Sequence, residues 1–171
     1  MSVLGSLRSV LDIPDDRDSP VRLLHPSFRD FLLDGRRCLN DQFRVDEKEA
    51  QSALAESCLE FMSRTLKRDV CGLGMPGALT SELKTEIIAK RISAHVQYAC
   101  CHWVNHLQRG EAALCNDNGK VHEFLQTHFL HWLEALSFIG KMSEGILMIT
   151  ALQSTLTVSD LNPPSPISYQ Y

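Results

Sequence analysis

A chain of 171 residues, 44% apolar and 22% charged, has the makeup of a globular protein of one domain or two small ones, and it can bury about two-thirds of its unfolded surface without staples. The net charge of −4 excludes general nucleic-acid binding, which needs a cationic surface. Gly5, Arg8 and Ser9 interrupt any export-type apolar run, the longest apolar stretch (Gly145 to Leu152) is too short to span a bilayer, and six cysteines without a pairing rhythm read as reduced thiols of a cytoplasmic protein.

Along the chain, Val3 to Leu11 is expected to form a short helix, followed by a turn-rich loop from Pro14 to Pro20. Val21 to Leu24 reads as a strand. Pro26 suits the first turn of a helix running to about Leu33, with Gly35 as its stop. Asp46 and Glu49 make a capping-box-like start for a helix from Glu47 to Arg68, about 33 Å long, with Ala50, Leu54, Cys58, Phe61 and Met62 at helical spacing. Cys71 to Pro76 reads as a loop and Glu82 to Arg91 as a shorter helix. Ser93 caps a helix whose apolar face is Val96, Ala99, Cys100, Trp103, Val104 and Leu107. Gly110 to Gly119 is a polar connector. Lys120 to Phe138 is a strongly apolar helix that Gly140 breaks, and Met142 to Leu156 is the last helix. The tail from Asn162, with Pro163, Pro164 and Pro166, cannot be helical. The pattern predicts an all-α fold: an antiparallel helical bundle or superhelical segment, with one remnant strand near the N-terminus.

The sequence carries little that chemistry could use. The P-loop pattern G-x-x-x-x-G-K-[ST] is absent. Gly72, Gly74 and Gly77 spell G-x-G-x-x-G, but a helix precedes them rather than a strand, so the stretch reads as a loop and not a dinucleotide site. His102 and His106 stand one helical turn apart beside Cys101, with His95 two turns back and His122, His128 and His131 on a later helix. Strong ligand pairs such as C-x-x-C are missing, so no metal and no cofactor is expected. Neither a Cys–His nucleophile nor a G-x-S-x-G elbow around Ser27 has a local signature, so no catalytic residue is assigned. The most pointed feature is Leu23-Leu24-His25-Pro26-Ser27-Phe28-Arg29-Asp30-Phe31-Leu32. It sets His25 at a helix N-terminus, where unpaired N–H groups favour an anion; the plainer reading is that His25 caps its own helix.

Leu24-His25-Pro26-Ser27-Phe28-Arg29-Asp30-Phe31-Leu32 resembles the segment that follows the NACHT nucleotide-binding module in fungal NOD-like receptors of the heterokaryon-incompatibility type with WD repeats. Phe43-Arg44-Val45-Asp46, Leu54-Ala55-Glu56-Ser57-Cys58-Leu59, Val96-Gln97-Tyr98-Ala99-Cys100, Trp103-Val104-Asn105-His106-Leu107 and Phe129 to Ser137 look like that family's linker helices. The resemblance therefore covers about residues 4 to 156. It implies a winged-helix remnant over 1–40, a helical domain over 41–160 and a Pro-rich tail over 161–171. It also implies that His25 faces the diphosphate of bound ADP in the complete receptor. The expected function is a non-enzymatic helical relay between the NACHT module and the WD repeats, its protein partners in cis or in trans, with neither nucleic acid nor membrane as partner. The rival is a free-standing helical module that acts on related receptors.

Overall fold

The computed structural model describes residues 7–16, 19–74, 85–110 and 119–160, without the side chains of Thr85 and residues 155–160. Among the described residues two short strands, β1 (Leu11–Asp12) and β2 (Arg22–Leu23), are followed by six helices: α1 (Pro26–Leu33), α2 (Glu47–Thr65), α3 (Thr85–Arg91), α4 (Ala94–Arg109), α5 (Lys120–Phe138) and α6 (Met142–Asp160). The fold is all-α with a two-strand remnant. The chain divides into two compact units, residues 1–47 and 48–171.

In the N-terminal unit β1 and β2 pair antiparallel, Leu11 opposite Leu23 and Asp12 opposite Arg22. The helix expected from Val3 to Leu11 is not formed over its described part. Residues 7–11 make a single turn, with Val10 and Leu11 both donating to the Leu7 carbonyl, and the backbone then becomes extended to meet β2. The ladder satisfies backbone groups that a frayed helix end would leave open. Leu24 extends the pairing by donating to the Val10 carbonyl at 3.0 Å. No residue of α1 is buried, although Phe28, Phe31 and Leu32 share a face. Leu24, Leu39 and Phe43 are exposed, Leu39 by 84%, and Cys38 is the one buried apolar residue described in this unit.

The C-terminal unit is built the opposite way. Helices α4, α5 and α6 pack pairwise, and buried residues of α2 (Ala55, Cys58, Leu59 and Met62) join the same core. Its centre is aromatic. The Trp103 ring stands edge-on to Phe124 at 5.5 Å and to Trp132 at 5.6 Å, an arrangement that suits ring quadrupoles. The Trp132 indole N–H donates to the Cys100 carbonyl at 2.9 Å and so ties α5 to α4.

Helix ends follow local chemistry. Gly140 closes α5 with φ +71°, while its N–H donates to the Ser137 carbonyl and the Lys141 N–H to the Leu136 carbonyl. This pair of bonds is a Schellman stop, which needs a left-handed residue that glycine adopts without strain. The chain reverses there, and Gly145 of α6 lies close enough to the Leu136 side chain that a Cβ would meet it at 2.8 Å. Helix α2 ends at Thr65, short of the expected Arg68, ahead of a loop that Asp69 organises. Helix α6 runs to Asp160, past the expected Leu156, since no breaker intervenes before Pro163. The expected features at residues 3–6, 75–84, 111–118 and the tail from Asn162, including Gly77 and Cys115, lie outside the described residues.

Candidate functional site

His25 is the residue singled out by sequence, and its local geometry is definite. It occupies the N-cap of α1 in extended conformation (φ −147°, ψ 139°), with Pro26 at the first helical position. Its Nδ1 accepts from the Ser27 N–H at 3.1 Å and from the Ser27 hydroxyl at 2.8 Å. With both bonds accepted at Nδ1, the ring carries its proton on Nε2. That N–H has no hydrogen-bond partner among the described residues. One of the backbone donors expected to await an anion is thus taken by the imidazole itself. What the site offers outward is the Nε2–H of an exposed ring.

The glycine-rich stretch after α2 is closed by a carboxylate. Asp69 has φ +55°, in the left-handed region that aspartate tolerates better than most side chains. Its Oδ1 accepts from the Leu73 N–H at 2.6 Å and its Oδ2 from the Gly74 N–H at 2.8 Å, while its carbonyl accepts from Gly72. These backbone bonds, from Gly74 and then Leu73, hold the Asp69 carboxyl below the usual carboxylate range. Amides that a phosphate would need are occupied. The Asp69 N–H in turn donates to Glu134 of α5 at 3.1 Å, which fixes the loop to the bundle.

The two histidines spaced one turn apart on α4 have different surroundings. His106 is buried, with Nδ1 2.7 Å from Gln51 Oε1 and Nε2 2.8 Å from the Tyr98 hydroxyl. The Gln51 oxygen only accepts, so Nδ1 donates and Nε2 accepts from Tyr98. Burial first, then His102 and Arg109, lower the His106 pKa. His102 is exposed and lies against the Tyr98 ring. His106 is a structural joint between α2 and α4, since both of its nitrogens are spent. Sequence reading missed the joint because Gln51 and His106 are 55 positions apart.

Four cysteines of the C-terminal unit have thiols held in their neutral form. Burial pushes the Cys100 thiol up to about 12 and raises Cys58, Cys71 and Cys101 as well, the reverse of the depressed values that nucleophilic thiols show. A shallow groove of about 400 Å³ between α4 and α6 gathers Cys101, His102, Asn105 and Glu144 beside Leu147. It brings the residue types of thiol chemistry together around a neutral thiol. A second groove, about 310 Å³ between α2 and α5, is lined by Glu60, Ser63, Glu123, Phe124 and His128. No helix among the described residues is long and apolar enough to cross a membrane.

Among the described residues, His25 offers an exposed imidazole at a helix start, while Asp69, His106 and Trp132 spend polar groups on holding a loop and helices in place. No family model matches the chain, and no solved structure matches it. Among curated proteins the chain is similar to the vegetative incompatibility protein HET-E-1 of Podospora anserina, 28% identical over 191 aligned positions. The match takes in 90% of this chain and 14% of that protein. The chain is therefore related to one segment of a much longer fungal incompatibility protein.

Proposed function

We propose that this chain is a non-enzymatic helical relay segment of a NACHT-type signal-transducing receptor, working beside a nucleotide-binding module that it does not itself contain. The observation that carries the proposal is the similarity to HET-E-1, nearly end to end in this chain and confined to 14% of the relative. The contrast between units supports it. Residues 1–40, as the remnant of a winged helix, would present the half-buried face of α1 to the nucleotide-binding module. The bundle of α2 and α4–α6 would move as a body, because its packing around Trp103 and Trp132 leaves little room to deform. WD repeats are the partner on the sensor side, and the setting is the cytoplasm.

In this reading His25 is the nucleotide-sensing residue of the complete receptor. Its Nδ1 is committed to Ser27, and its Nε2–H is the donor that would meet a diphosphate oxygen. The decisive experiment places the segment in a complete receptor and substitutes His25→Ala. Spontaneous signalling should rise and ADP retention should fall. If both stay at the wild-type level, His25 is a helix cap and nothing more. Capture of a NACHT protein supplied in trans by the isolated chain would instead favour a free-standing module that acts on related receptors.

A further inference from the structure

Two histidines that the relay does not use meet on one face of α5. His128 and His131 are three residues apart, a spacing that makes helical side chains neighbours. Their Nδ1 atoms are 3.4 Å apart, with ring centroids at 5.5 Å and planes inclined by 61°. The His128 ring is held in place by Phe124, which is buried and stacks on it at 5.8 Å with planes 19° apart. Both histidines are partly buried rather than fully solvated.

Two imidazole nitrogens bound at ~2.0–2.1 Å to one tetrahedral ion stand about 3.3–3.4 Å from each other. The two rings already have that separation. We infer that His128 and His131 form a two-histidine chelate for a borderline divalent transition ion of the Zn²⁺, Ni²⁺ or Cu²⁺ class. Imidazole suits these ions, whereas Mg²⁺ and Ca²⁺ take oxygen donors. In the free protein one Nδ1 donates to the other. On binding, the shared proton leaves Nδ1, the same ring takes a proton at Nε2 from solvent, and both Nδ1 lone pairs turn to the ion, with no net proton released. No third histidine, cysteine, aspartate or glutamate completes a metal-holding group among the described residues, so water fills the other positions and the ion exchanges readily. The other histidines are arranged differently. His106 has both nitrogens bonded, and His122 Nε2 lies 2.7 Å from the Gln126 amide.

The inference is independent of the relay and is tested on the intact chain with Co²⁺ as the probe. Titration should give one visible d–d spectrum without a thiolate charge-transfer band, and Zn²⁺ should displace it. His131→Ala, and separately His128→Gln, should each weaken Co²⁺ binding at least about tenfold, the scale that even an outer partner of a metal ligand commands. His122→Ala should bind as the parent does. Circular dichroism verifies the fold of each variant. A thiolate band, unchanged affinity in the folded His128 or His131 variants, or no Co²⁺ binding by the parent overturns the inference.

Discussion

Helices α1 and α4 carry apolar residues at the same helical spacing, and the two faces meet different fates. On α4, Val96, Ala99, Cys100, Trp103, Val104 and Leu107 are all buried. On α1, Phe28, Phe31 and Leu32 stay half-buried and nothing is buried. Spacing alone therefore does not decide burial; the neighbours do. Helix α4 has three long helices around it, whereas the described residues of the N-terminal unit form two two-residue strands and an eight-residue helix with which to enclose a core. A unit of under about 50 residues is near the lower limit for a self-sufficient interior. The relay proposal takes this open face of α1 as the surface that another module would cover.

The sharpest way to break this contrast is to truncate each side. Trp132→Ala removes a fully buried ring together with its bond to the Cys100 carbonyl, and should destabilise the C-terminal unit by about 3–5 kcal/mol in urea denaturation. A loss under about 1 kcal/mol would mean that the bundle is not tightly packed. Gly110→Ala comes next. Its Cβ would meet Ser52 Oγ at 2.5 Å and the Ser52 backbone nitrogen at 2.9 Å, and backbone cannot yield as a side-chain tip can. The expected cost is about 1–3 kcal/mol by the same assay.

Acid should act on the same unit through His106. Burial holds the folded pKa below the ordinary imidazole value, so the unfolded chain binds more protons between the folded pKa and about 6.5. Stability contributed by neutral His106 is full above that range, falls as pH drops through it, and levels off beneath the folded pKa. Urea midpoints measured from neutral to mildly acidic pH should show this slope, and His106→Gln should flatten it. The smallest effect belongs to the N-terminal unit. Leu39→Ser, at a side chain 84% exposed, should change stability by no more than about 0.5 kcal/mol. A larger loss would reveal a core there and erase the contrast.

Much of the bundle was legible because glycine and periodicity coincide. Helix α5 runs from Lys120 to Phe138 as expected, bracketed by Gly119 and closed by Gly140. Strand β1 was not legible, since two residues have no period and their extended form depends on Arg22 and Leu23 across a loop. At the candidate sites, the sequence marked His25 and left open whether it caps its helix. The bond from the Ser27 N–H shows that it does, and the role proposed for its Nε2–H is a separate question. The Gly72–Gly74 stretch is a loop, as its sequence reads. Its organiser is Asp69, three residues before Gly72, a turn signal that the glycine spacing alone does not reveal. The H-x-x-H spacing of His128 and His131 was visible, but only the fold fixes the distance between their nitrogens.

The edge-on pair Trp103 and Trp132 comprises both tryptophans of the chain, and both sit in the C-terminal unit. Indole emission from the unmodified protein therefore reports on one half only. At 5.6 Å the two transition dipoles couple, so loosening of the bundle should register in the near-ultraviolet circular dichroism before the helical signal fades. Helix α1 carries no indole, so a change in the indole signals assigns the event to the C-terminal unit.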